Sequence, residues 1–168
     1  MTGLRITAAT ALLAIGTTAA LAEDPHTHGH ATMTIAVEGN SVAIEIEAPG
    51  ASVVGFERAA STDEEKAAVE AAEAQFADPM GLLTLPEAAG CTVESAESEL
   101  HQDGDHNEFE AEYALACEDT AAIDAIETRM FEVFAPLEEL TIEYATPAGQ
   151  GALELERGDE PRIALATG

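Results

Sequence analysis

From Met33 the chain alternates. Met33, Ile35 and Val37 are large and apolar, with Thr34, Ala36 and Glu38 between them. Gly39-Asn40 interrupts, and Val42, Ile44 and Ile46 then alternate with Ala43, Glu45 and Glu47. A period of two on both sides of a Gly-Asn pair predicts a two-strand hairpin with one apolar face. The same period returns between Cys91 and Cys117, where Cys91, Val93, Ser95, Glu97 and Glu99 share one face of the first half. Phe109, Ala111, Tyr113, Leu115 and Cys117 share the apolar face of the second half, and Gln102-Asp103-Gly104-Asp105 between them is turn chemistry. Folded as a hairpin with Cys91 opposite Cys117, the register places Val93 against Leu115, Ser95 against Tyr113 and Glu99 against Phe109.

Two stretches carry helical spacing instead. Thr62 followed by Glu65 is a capping-box signal, with Ala68, Val69, Ala72 and Phe76 on one side of a helix over 62–77 that Asp78-Pro79 ends. Asp119 or Thr120 caps a second helix over 120–134, with Ile123, Ile126, Met130 and Phe134 in one stripe. Val53 to Phe56 reads as a short buried segment, and 79–90 as a loop anchored by Leu82 and Leu85. Strands follow at Leu140-Ile142-Tyr144, at Leu153-Leu155 and at Ile163-Leu165. The order is ββ-α-ββ-α-βββ. It predicts an α+β fold with a mainly antiparallel sheet, two helices on one face, and one hairpin stapled by a disulfide.

The N-terminus changes the compartment. Residues 1–22 pair Arg5 with an apolar run from Ile6 to Leu21 and the cleavage pattern Ala20-Leu21-Ala22, which reads as a secretory signal peptide rather than a membrane anchor. A His-containing segment, 23–32, and a single α+β domain, 33–168, would remain. In an oxidising compartment two cysteines are most simply one bond, Cys91–Cys117. It contributes roughly 3–4 kcal/mol on the chain-entropy model. Charge changes the choice of partners. Six Lys+Arg stand against 33 Asp+Glu, a net charge of −27, which repels nucleic acid and anionic membrane surfaces.

The five histidines fall in two places: His26, His28 and His30, then His101 and His106. If the first segment is extended, its three imidazoles share one side, opposite Met33, Ile35 and Val37. Neutral imidazole ligates zinc, copper and nickel, and zinc takes four ligands from His, Cys or carboxylate. Asp103, Asp105 and Glu108 are carboxylates within the second cluster. Binding through histidines weakens as pH falls through the ordinary imidazole range of roughly 6.5. Catalytic signals are missing: there is no Gly-x-Ser-x-Gly, P-loop or His-Glu-x-x-His. The expectation is a protein that is not an enzyme.

The segment HTHGHATMTIAVEGNSVAIEIEAPGASVVGFE, Cys91, the strand HNEFEAEYALAC and Gly149-Gln150 together resemble the zinc-regulated periplasmic zinc-binding proteins, the ZrgA-like family. The resemblance spans about 28–165. It implies a periplasmic protein that binds zinc through histidines and assists zinc acquisition, with His28, His30 and His106 as the matched positions. Two departures are visible. The long His-rich tract common in the middle of such proteins is reduced to His101 to His106, and Arg58 stands where a His commonly follows the GFE segment. The leading expectation is therefore a periplasmic zinc carrier or buffer serving a zinc-uptake transporter component, with all five histidines as ligands and Asp103, Asp105 and Glu108 in support. An acidic adaptor without a specific metal, docking through a sheet edge, and a zinc hydrolase with an open coordination position are the other two readings.

Overall fold

The Gly39-Asn40 hairpin forms as the alternation dictates. β1 (His30–Glu38) pairs antiparallel with β2 (Ser41–Pro49), with Glu38 opposite Ser41. The structure, a computed structural model, describes residues 28–166, so the signal-peptide segment and His26 lie outside the described residues. Pro49 leads into α1 (Gly50–Val53). The capping box then opens α2 (Asp63–Phe76): Thr62 Oγ1 accepts from Glu65 N, and the Glu65 carboxylate accepts from Thr62 N. The short α3 (Pro79–Leu82) begins on its proline and runs straight into β3 (Leu83–Thr84). The predicted loop at 79–90 thus holds a helical turn, a short strand and a 3₁₀ turn, Glu87–Ala89.

β4 (Thr92–Asp103) and β5 (His106–Ala116) form the second hairpin, turning at Gly104-Asp105. Cys91 and Cys117 are disulfide-bonded at its base. The predicted register holds at that base and fails above it. Val93 pairs with Leu115, but the next pair is Ser95 with Ala114, so one residue is inserted at Glu94. Beyond a bulge every side chain changes face. Ala96 therefore opposes Tyr113, and Leu100 rather than Glu99 opposes Phe109. The reason is burial. Without the insertion Glu97 and Glu99 would point toward the apolar layer; with it, Ala96, Ser98 and Leu100 do, and the glutamates are exposed.

The predicted second helix is not formed. Residues 120–134 contain a 3₁₀ turn, Thr120–Ala122, then β6 (Ala125–Thr128) and the four-residue α4 (Met130–Val133). The stripe residues Ile123, Ile126, Met130 and Phe134 are all buried, so their apolar character does mark core positions, but on a strand and its flanks rather than at helical period. β6 pairs with β3 on one side and with a distant partner, β9 (Arg162–Ala164), on the other, and this pairing overrides helical spacing.

β7 (Glu139–Thr146) and β8 (Gly149–Glu156) complete a six-stranded sheet of order β4-β5-β2-β1-β7-β8. It is antiparallel except where β1 and β7 run parallel in its middle. β3, β6 and β9 form a second, three-stranded sheet. One face of the large sheet supplies Met33, Ile35, Ile44, Ile46, Phe109, Tyr113, Leu140 and Ile142 to a core shared with Phe76, Leu82, Ile126, Met130 and Phe134. Phe76 stacks on Phe109 and Phe134 with ring centres 5.5 and 4.8 Å away. The Tyr113 hydroxyl donates to the Phe76 carbonyl at 2.6 Å, which ties the end of α2 to β5. Burying side chains of this size stabilises by about 1.5–3 kcal/mol each. The opposite face of the sheet is open and rich in glutamate.

Candidate metal centre

Strand order brings the described histidines to one end of the large sheet. His30 begins β1 and pairs with Glu139 at the start of β7. His106 begins β5. His101, near the end of β4, lies opposite Glu108, which in turn lies opposite Pro49 at the end of β2. The two sequence clusters therefore share a rim, although their contacts divide.

In its described part, His28-Gly29-His30, the first cluster is not extended. Gly29 adopts φ +81° between the two described histidines of the first cluster, a backbone that L side chains rarely take. Its carbonyl accepts from the backbone N–H groups of Glu138 and Glu139 at 2.7 and 2.9 Å. This turn sends His28 and His30 to different neighbours. His30 Nε2 lies 2.9 Å from Thr141 Oγ1 and 3.7 Å from Glu139 Oε1. His28 Nε2 lies 3.3 Å from Glu57 Oε1.

Glu57 is the residue that sequence reasoning missed. The segment after β2 makes α1, reverses at Gly55 (φ +84°) and lays Phe56 and Glu57 beside the start of β5. There Glu57 Oε2 meets His106 Nδ1 at 3.2 Å. One carboxylate thus joins a histidine from each cluster. Its side chain is only 15% exposed, whereas the two imidazoles stand largely in solvent. Glu57 Oε1 is buried and accepts no hydrogen bond among the described residues. Burying carboxylate oxygen without a hydrogen-bond donor is unfavourable; the His28 ring, 3.3 Å away, would offset this when protonated, as would a bound cation. The available signal was position within the PGASVVGFE segment, but one glutamate among 33 acidic residues does not announce itself.

Arg58 does not intrude on this group. Its guanidinium turns to the Glu65 carboxylate and lies over the Phe56 ring, 5.4 Å from its centre. The same ion pair, reinforced by the backbone N–H groups of Ser61 and Thr62, holds Glu65 well below the usual carboxylate range.

The remaining predicted residues lie elsewhere on the rim or face. His101 Nε2 sits 2.8 Å from Glu110 Oε2 and 3.5 Å from Glu99 Oε2 on the open side of the sheet. Asp103 and Asp105 are exposed at the hairpin tip, and Glu108 is half-buried beside His101 on β5. On the open face the carboxylates of Glu45, Glu110 and Glu112 bring oxygens within 4.8 Å of one another. Burial, then Glu47, Glu112 and Glu110, raise the Glu45 carboxyl above its ordinary range.

Two imidazole nitrogens and a carboxylate are a zinc donor set. Tetrahedral zinc with bonds of about 2.0–2.2 Å to such atoms sets neighbouring ligands about 3.3 Å apart. The nitrogen–oxygen separations of 3.3 and 3.2 Å are those of two hydrogen-bond-range contacts, one to each oxygen of the carboxylate. The three residues do not bring one ligand atom each within 4.8 Å of one another as the open-face glutamates do. The two rings approach opposite oxygens of the carboxylate, so drawing them onto one ion requires a ring to turn while Glu57 stays.

Residues 25–165 match the family described as ZrgA family zinc uptake protein. The match covers most of the chain, and the protein belongs to that family. A comparison with curated proteins finds no match.

Proposed function

We propose that the protein is a periplasmic zinc carrier or buffer that holds its cargo between His28, His106 and Glu57 and supports a zinc-uptake transporter component. The observation that carries this reading is the Glu57 carboxylate, 15% exposed, set within 3.3 Å of histidines from both sequence clusters. Family membership supplies zinc as the cargo. His30 and the hairpin residues His101, Asp103, Asp105 and Glu108 are proposed as auxiliary donors elsewhere on the rim and open face, and His26, outside the described residues, as a further one. The leader-like residues 1–22 and the disulfide support the periplasm as the compartment.

The test is calorimetric titration of the chelator-stripped mature protein with zinc. The reading expects one tight equivalent, weakened at least about tenfold by Glu57→Ala, His28→Ala or His106→Ala taken singly. Unchanged affinity in Glu57→Ala rejects the centre. Loss on removing one histidine cluster but not the other rejects the joining of the two.

A further inference from the structure

We propose that Asn107 is the positioning residue of this centre, the group that holds Glu57 against His106. The inference rests on the reading of Glu57 as a zinc ligand and adds the means by which that ligand is kept in place. His106 and Asn107 are consecutive in β5, so their side chains leave the strand on opposite sides. His106 goes to solvent. Asn107 goes inward and is 4% exposed, on the same face as Phe109, Ala111 and Tyr113. An amide in an apolar layer is unfavourable unless it is bonded, and here it is. Assigned so that the nitrogen rather than the oxygen faces the neighbouring carbonyls, the amide donates to Phe56 at 3.2 Å and to Glu57 at 3.1 Å. Turned the other way, the amide nitrogen reaches the Arg58 carbonyl at 3.3 Å. In either orientation its partners are the backbone of residues 56–58.

The segment is fitted to this amide. A Cβ on Gly50 would lie 1.6 Å from the terminal Asn107 amide atom that faces the Phe56 carbonyl and 2.6 Å from that carbonyl itself, so the absence of a side chain at Gly50 is what admits Asn107. Ser52, fully buried, donates from its hydroxyl to the His30 carbonyl at 2.8 Å and ties the same segment to the start of β1. Glu57 is therefore located by backbone bonds to the residue adjoining one histidine, within a segment tied two positions from the other. Side chains that orient metal ligands in this way govern affinity by about 10–100-fold when removed.

The amide must donate. Aspartate has nearly the same shape but presents acceptors alone at neutral pH, facing carbonyls that are also acceptors. The experiment is a zinc titration by chelator competition on the full mature chain, comparing wild type, Asn107→Ala, Asn107→Asp, Glu57→Ala and the double variant Glu57→Ala/Asn107→Ala, with metal-free melting recorded for each. Both single Asn107 variants should weaken zinc by about 10–100-fold. In the Glu57→Ala background the Asn107→Ala change should move affinity by less than about twofold, because the ligand it positions is gone. An equal loss with and without Glu57 would show a general structural role and overturn the proposal, as would unchanged affinity in Asn107→Asp. If Asn107→Ala does not melt cooperatively, Asn107→Ser, whose hydroxyl donates but spans only one carbonyl, takes its place in the cycle with the same criterion. Should Glu57→Ala itself leave affinity intact, the zinc centre falls and this inference with it. A loss in Glu57→Ala with none in Asn107→Ala removes the positioning role alone.

Discussion

Histidine meets glutamate in two contrasting places on this sheet. At the rim, His28 and His106 meet Glu57, whose carboxylate is largely buried and whose backbone is bonded to Asn107. On the open face, His101 meets Glu110 and Glu99, all projecting from the β4–β5 ladder into solvent. The residue types are the same, and the His101–Glu110 contact is the shorter. Contact length therefore does not distinguish the proposed metal centre from a surface ion pair, which contributes little on its own. Restraint does. A carboxylate fixed before metal arrives leaves less disorder to remove on binding, and a buried oxygen without a donor has more to gain from a cation.

The largest expected effect breaks the contrast directly. Glu57→Ala should weaken zinc on the order of a hundredfold, and Glu110→Ala by less than about threefold, both read by calorimetry. Equal losses would erase the distinction between rim and face. Next comes the staple. Cys91→Ser/Cys117→Ser should lower unfolding free energy by roughly 3–4 kcal/mol in denaturant melts. Zinc affinity should stay within about threefold, because the cysteines lie at the base of the hairpin and His106 at its tip. Gly50→Ala tests whether the rim is held by fit. Forcing a methyl against Asn107 should destabilise by about 1–3 kcal/mol and, unlike the cysteine change, also weaken zinc.

The smallest effect belongs to the open face. Glu45 is raised by burial and by like-charged neighbours, so the fold disfavours its ionised form. That penalty exists above the folded pKa and vanishes once pH falls below the ordinary carboxylate range. Glu45→Gln should raise the melting temperature by about a degree at neutral pH, with the gain gone near about pH 3. A gain that persists in acid would assign it to packing.

What could be read from sequence was local. The Gly39-Asn40 hairpin, the Thr62–Glu65 cap, the Cys91–Cys117 bond and the last three strands each follow from neighbours a few positions apart or from composition. The failures share a cause in distant partners. Ile126 joins a strand because residues 162–164 lie beside it, and Glu94 bulges because burial must be satisfied across a long ladder. At the centre, two of the three proposed ligands were legible because histidine is scarce here. Glu57 was not, since its role comes from a turn at Gly55 and an amide at Asn107 rather than from its own identity.

The parallel pairing of β1 with β7 has a temporal meaning. No hairpin can make it, since parallel strands require a long connection, and contacts between His30 and Thr141 span 111 positions. Such topology slows folding, because the intervening chain must be ordered before the pairing rewards it. The Gly29 carbonyl that turns His28 toward Glu57 has Glu138 and Glu139 as its donors. A chain that has emerged only as far as the second hairpin has His106 and Glu57 but nothing to steer His28 to them. Assembly of the rim is thereby a late event, and on the proposed reading full zinc affinity would belong to finished molecules alone.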